Sequence, residues 1–390
     1  MTNNLHKNVQ GDKISLENWR THPYNRIAFS KVDNILPYEV IHKGTKEIKF
    51  DSKIEDISSL EFSDKYNEKQ TIINFFEKNL TDSFQLFKKG NKIFEWFDNY
   101  NLKSNRHILF SVSKSLTSLA IGLLVENKLI DTNQEITFYI PEVKNSAFEN
   151  ATIRNLLDMT ISTNFKEEYL DKTGIFNLYR EATGFNPKTS NNNIGLKDFL
   201  KLMPKSKEKH GSHYHYCSPN TDLLGWIIEK VTGTSFGNYF SKEIFQKCGP
   251  QYDAFITLDH EKSPRTAGGI CMVIDDLAKL SEMVRCKGSF DNKQIIKERT
   301  ISELIDYNND YNWPSIEKGN LFPNGSYRSK WYQTGLKNKE IYASGIHGQK
   351  IWIDPLNEIS IIMFSSRKQP LSPSFEKNFS LMCLEICKFL

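Results

Sequence analysis

Apolar runs flank Lys89-Gly90-Asn91 in the stretch FQLFKKGNKIFEWFDN, which follows Ser83. Two apolar runs around a turn-forming cluster predict a β-hairpin. The period then changes. Leu116, Leu119, Ala120 and Leu123 fall at i, i+3, i+4 and i+7, while Ile121, Leu124 and Val125 fill the other face. A helix that is apolar nearly all round is a buried one. Helical spacing recurs in TIRNLLDMT (152–160), NIGLKDFLKLM (193–203) and TDLLGWIIEKVTG (221–233), the last closed by Gly233. Residues 160–192, rich in Asn, Thr and charge, read as loop. KIWID (350–354) and EISIIMFSS (358–366) return to strand patterning around Pro355-Leu356-Asn357. Ser372-Pro373 opens a last helix, with a capping serine and proline at the first helical position.

Strands early, helices in the middle and strands late predict an α/β fold. An antiparallel sheet built from both chain ends carries flanking helices, and a mainly helical lobe is inserted between. Residues 1–60 form a lead segment that Trp19, Tyr24, Phe29 and Tyr38 should dock on the body. Residues 61–390 form the main domain, with 61–130 and 286–390 in the α/β lobe and 131–285 in the helical lobe.

Composition narrows the class. An apolar share of 38% in 390 residues supports a real core and excludes a disordered chain. The net charge of +4 is spread without clusters, so nucleic acid is not an expected partner. The N-terminal stretch is polar, and no run approaches the ~20 apolar residues of a membrane span. The six cysteines form no CxxC pair. These features predict a soluble, cytoplasmic protein with reduced thiols and no membrane partner. Oligomeric state stays open, a homodimer among the options.

The buried helix carries a chemical oddity at its start. Ser111 and Lys114 stand three residues apart in SVSK (111–114). A helix N-terminus carries about half a positive elementary charge, which favours an alkoxide and disfavours an ammonium. Burial disfavours the ammonium further, so a lysine held there can be neutral and act as a base. Residues i and i+3 share a face, so Lys114 can reach the Ser111 hydroxyl: a Ser-Lys activated nucleophile. Spacing alone is uninformative, because Ser-x-x-Lys recurs at Ser206/Lys209, Ser315/Lys318, Ser365/Lys368 and Ser374/Lys377. Only the first opens a buried helix after strands. The bland alternative is a capping serine beside a snorkelling lysine.

Further along, YCS (216–218) precedes PNTDLLGWIIEKVTG (219–233), and YASGIHGQKIWIDP (342–355) lies on a late strand. With SVSK, these segments resemble the serine β-lactamase and penicillin-binding-protein superfamily on its class C side. The family has Ser-x-x-Lys, then Tyr-x-Asn, then Lys-Thr-Gly or His-x-Gly. Here Ser218 replaces the asparagine, and Gly345-Ile346-His347-Gly348-Gln349 occupies the third region. The KTG at 172–174 precedes Tyr216 and is out of order. These departures look like the 6-aminohexanoate-dimer hydrolases and their carboxylesterase relatives, whose lead segment NWRTHPYNRIAF (18–29) also resembles.

The resemblance implies a β-lactamase/transpeptidase-like fold and hydrolysis of a small amide or ester through an acyl-enzyme on Ser111, with no cofactor. Lys114 and Tyr216 would share the proton transfers. A free tyrosine titrates near 10, about three units too high for a base at pH 7, so a cationic or dipolar neighbour must lower it. Backbone N–H groups of Ser111 and Ile346 would hold the oxyanion. Tyr169 would close over substrate, and Ser218, Gly345, His347 and Trp331 are further candidates for the binding site. Glu167, Glu168 and Asp171 could attract a cationic amine. His210, His213 and His215 in HGSHYHY lack a zinc spacing, so no metal is expected. A β-lactamase or D-amino-acid peptidase is the alternative enzyme. A non-catalytic binding or sensor protein is the alternative from another class.

Overall fold

The hairpin forms where the turn residues demand it. Strands β1 (Thr81–Lys88) and β2 (Asn91–Phe97) pair antiparallel. Lys89 and Gly90 between them both hold positive φ, 51° and 78°, as a two-residue hairpin turn requires. The structure is a computed structural model that describes residues 13–99, 101–169, 171, 173–189, 193–306 and 321–390. The first twelve residues of the lead segment, Lys172 of the KTG triplet, Asn191-Asn192 and Ser315/Lys318 lie outside that set.

Five further strands complete the main sheet: β3 (Ser326–Arg328), β4 (Trp331–Gln333), β5 (Ile341–Gly345), β6 (Gln349–Asp354) and β7 (Ile359–Ser365). The order is β3-β4-β5-β6-β7-β1-β2, antiparallel throughout. The two chain ends meet at β7 and β1, where Ile361 faces Leu86.

Five helices frame the site: α1 (Val112–Glu126), α2 (Ile175–Ala182), α3 (Pro219–Thr232), α4 (Ile274–Arg285) and α5 (Pro373–Phe389). Helix α1 packs against α3 and against β5 and β6, so both of its faces are covered. Gly233 ends α3 with φ 67°, and the Ser372 side chain accepts from the Phe375 N–H at the start of α5.

Three features depart from the sequence reading. Helix α2 lies inside the stretch read as loop; Phe176 and Tyr179 on its buried face provide the reason. Helix α4, assigned by sequence to the helical segment, packs on β7 and β1. A four-stranded sheet also appears, ordered Tyr38–Ile41, Ala254–Thr257, Ile270–Met272, His107–Ile108. Its strands are two to four residues long, too short to show a period.

The lead segment docks through Trp19. Its ring is fully buried, stacked 6.2 Å from Phe110 and edge-on to Phe29 and Phe185. Its indole N–H donates to the Phe185 carbonyl at 3.2 Å.

Candidate active site

Phe110, wedged against Trp19, holds φ 44°, a sterically costly value for a residue with a Cβ. The turn it makes delivers Ser111 to the N-terminal end of α1. Ser111 occupies the cap position, yet its side chain caps nothing. Instead Oγ accepts a 2.8 Å hydrogen bond from Lys114 Nζ. Lys114 is only 2% exposed and also donates to the Ala267 carbonyl at 2.8 Å. Neither a capping serine nor a snorkelling lysine describes this pair. Burial drives the lysine from 10.5 down to about 7, with Glu167 pulling it up and Arg265 pushing it down.

The Tyr216 ring stands 5.0 Å from Lys114 Nζ. Its phenol titrates well above the ordinary value: burial is the main cause, with Tyr332 and Glu167 adding to it. A hydrogen bond with Ser111 acts in the opposite sense but loses. The lowered tyrosine expected from sequence is therefore not what the geometry gives. A neutral lysine supplies no cation to stabilise a phenolate, so the phenol stays protonated.

The loop under Lys114 is braced from α3. Asp222 accepts from the Ala267 N–H at 2.8 Å and from the Tyr179 hydroxyl at 2.5 Å, and it pairs with Arg265. Across from Ser111, the end of β5 comes very close. A Cβ on Gly345 would lie 2.7 Å from the Leu109 carbonyl oxygen and 3.2 Å from the Ser111 nitrogen. Only glycine permits this approach. It sets Ile346 beside the open end of α1, where helix geometry leaves N–H groups without intrahelical acceptors.

A small cavity of about 40 Å³ opens on Ser111 and includes Ile346, Ser218, Tyr169 and Glu167 in its wall. Glu167 accepts from the Tyr169 hydroxyl at 2.7 Å and from the Ser218 N–H. Ser218 occupies the cap position of α3 without a side-chain cap, and the bond from its N–H to Glu167 ties that helix end to the cavity wall. Glu168 is exposed and lies outside the wall. Two larger clefts, about 690 and 470 Å³, contain none of the Ser111 group.

This geometry has relatives. The Beta-lactamase family profile matches residues 103–382. The chain belongs to the Beta-lactamase family. It is 26% identical over 362 residues to the 6-aminohexanoate-dimer hydrolase of Paenarthrobacter ureafaciens, covering 91% of this chain and 89% of that one. A solved structure of a Bacillus anthracis protein named for the 6-aminohexanoate-dimer hydrolases superposes with a TM-score of 0.86 at 22% identity, over 97% of both chains. The hydrolase EstCE1, described as having promiscuous acyltransferase activity, gives a TM-score of 0.62 at 14% identity, over 82% of this chain and 96% of that one. The chain is thus a hydrolase of the β-lactamase superfamily, related to the 6-aminohexanoate-dimer hydrolases.

Within this Beta-lactamase-family scaffold, two sequence candidates stand away from the cavity. Trp331 is fully buried in the main core, because its strand β4 lies one strand beyond β5. His347 is buried behind the wall, its ring against Phe29 and Phe110 and its Nδ1 2.7 Å from the Arg367 carbonyl. Burial pushes it down to about 3, so it is neutral and braces the turn. The residues from His213 to Cys217 form no strand, and the three histidines face different partners: His210 the Ser162 N–H, His213 Glu208, His215 the Phe165 carbonyl. Among the described residues no group of three His, Cys, Asp or Glu could hold a metal ion, and no helix is long and apolar enough to cross a membrane.

Among the wall residues that sequence reasoning missed are all three of its arginines, Arg20, Arg180 and Arg265. They come from the lead segment, α2 and the loop before Gly268-Gly269. The glycine pair was the one local signal of a close backbone approach there.

Proposed function

We propose that the protein hydrolyses a small amide or ester through an acyl-enzyme on Ser111, with Lys114 as the base. The observation that carries this is the 2.8 Å bond between a buried lysine titrating near 7 and a cap-position serine that caps nothing. Neutral Lys114 takes the Ser111 proton as Oγ attacks the carbonyl. The N–H groups of Ser111 and Ile346 receive the oxyanion, each such donor worth about 3 kcal/mol of barrier. Tyr216, protonated at neutral pH, passes a proton to the leaving group and is restored from Lys114. Water then attacks the acyl-enzyme by the reverse relay. The two groups titrate as a coupled pair, and lysine is the acceptor that geometry and burial favour.

Ser218 in place of an asparagine and the lack of a late Lys-Thr-Gly set this site apart from the β-lactam line. A linear amide or ester is the substrate class that these differences support. A fluorophosphonate probe tests the reading. Wild type should label, and Ser111→Ala should not. Equal labelling of both, or none of wild type, would leave a binding protein on this scaffold. A panel of 4-nitrophenyl esters, 6-aminohexanoate dimer and nitrocefin then sorts the substrate class.

A further inference from the structure

The three arginines in the cavity wall share an unusual state. Nε of Arg20, of Arg180 and of Arg265 is buried, and none has a hydrogen-bond partner. Their other bonds do not use every nitrogen: Arg20 donates through Nη2 to the Phe185 carbonyl and Asn186, Arg180 through Nη1 and Nη2 to the Tyr169 and Asp171 carbonyls, and Arg265 through Nη1 to the Tyr179 hydroxyl and Asp222. Rings cover the guanidinium faces: Trp19 and Phe185 over Arg20, Phe176 over Arg180, Tyr179 and Phe185 over Arg265. A ring face attracts the cation but accepts no in-plane N–H. A buried donor without an acceptor costs about 1–3 kcal/mol, so each of the three guanidiniums is under-satisfied, and all three line one cavity.

The charges around the cavity support the same conclusion. Three guanidiniums share the wall with one carboxylate, Glu167, which is engaged by Tyr169 and Ser218. Asp222 neutralises Arg265 from behind, and Asp171 acts on Arg180 from the partly exposed lip. Among the described residues Arg20 pairs with no acidic side chain; burial and the nearby Arg180 and Arg265 hold it down to about 9. Tyr216, which must face the departing group, is not in the wall, and neither is Lys114. The cavity therefore lies on the acyl side of Ser111.

We infer that this cavity binds a carboxylate at the far end of the acyl group, making the preferred substrates short ω-carboxyacyl amides or esters. The planar fork of arginine matches a carboxylate, and a cavity of about 40 Å³ has room for little beyond that carboxylate, which keeps the spacer to Ser111 short. The inference rests on Ser111 as nucleophile. Hydrolysis breaks the acyl C–N or C–O bond, adds water, and releases a dicarboxylate with the amine or alcohol. It runs against the cationic amine that Glu167 and Asp171 suggest from sequence alone.

The test uses the full chain carrying Ser111→Ala and calorimetric titration with three 4-nitroanilides: of glutarate, of pentanoate and of 6-aminohexanoate. Succinate and adipate anilides bracket the length. The best ω-carboxyacyl anilide should bind at least about tenfold tighter than the pentanoate, with the ammonium ligand weakest. Arg180→Gln in the same background should bring the carboxylate preference to within about twofold, while a melting curve reports folding. If that variant does not fold, Arg20→Gln serves. Equal binding across the set, or tightest binding of the ammonium ligand, overturns the inference. Release of 4-nitroaniline by wild type reads the catalytic step separately. An inert wild type that does not take the fluorophosphonate label would sink the nucleophile reading, while the binding order would still decide the carboxylate.

Discussion

In the proposed mechanism Tyr216 and Lys114 divide the proton work according to their surroundings. Burial removes the proton from the lysine and keeps it on the phenol, because each environment disfavours its charged form. A protonated phenol matters most when the departing group needs a proton. Tyr216→Phe should therefore slow hydrolysis of an anilide by about 10²–10⁴ but that of its 4-nitrophenyl ester far less, since nitrophenolate leaves unprotonated. Equal losses on the two substrates would move Tyr216 out of the donor role. Gly345 is the other decisive residue. A methyl there would press on the Leu109 carbonyl and the Ser111 nitrogen and open the space between α1 and β5. Gly345→Ala should lower kcat by about 10²-fold or more, by displacing one oxyanion donor. Unchanged kcat in a folded variant would place the oxyanion site elsewhere. Ser111 and Lys114 were legible in the sequence because a polar pair opening an apolar helix is anomalous. Arg20, Arg180 and Arg265 were not, because a site assembled from three distant segments leaves no spacing to read.

Elements with a strong local signal formed as the patterning predicts. The hairpin had its turn residues, α1 its unbroken apolar surface, and α5 its Ser-Pro start. The four-stranded sheet had no such signal; its pairing of Tyr38–Ile41 with Ala254–Thr257 spans more than half the chain. That sheet carries the strand His107–Ile108 into the Phe110 turn, so an element invisible to periodicity aims Ser111. The lead segment acts at the same point. Trp19 packs against Phe110 from behind and sits next to Arg20. Trp19→Ala should cost about 3–5 kcal/mol of stability, as for other large buried aromatics. It should also lower activity at temperatures where the fold persists. A destabilised variant with full activity would show that Phe110 keeps its conformation without this support.

For the whole molecule, an uncharged buried lysine is a stability cost. Lys114 titrates near 10.5 when unfolded and near 7 when folded. Between those values the unfolded chain holds the extra proton, so this group makes stability rise with pH from about 7 to 10.5. That difference of about 3.5 pKa units corresponds to about 4–5 kcal/mol at pH 7. Lys114→Met removes that cost but leaves the Ala267 carbonyl without its donor, so a net gain of about 1–3 kcal/mol is expected at pH 7, fading toward pH 10. Thermal unfolding of both proteins across that range checks the sign. A less stable variant, or a difference that ignores pH, would argue that the lysine is charged in the native state.

The charge on Lys114 is also the quantity that decides the mechanism. The rate at which a fluorophosphonate phosphonylates Ser111, releasing fluoride, followed from pH 5 to 10, reads it without a turnover assay. The rate should rise with a single midpoint near pH 7, where Lys114 loses its proton, and no fall should follow below pH 10 because Tyr216 stays protonated. A flat profile, or a midpoint above pH 9, would mean that the lysine keeps its proton in the working enzyme and is not the base.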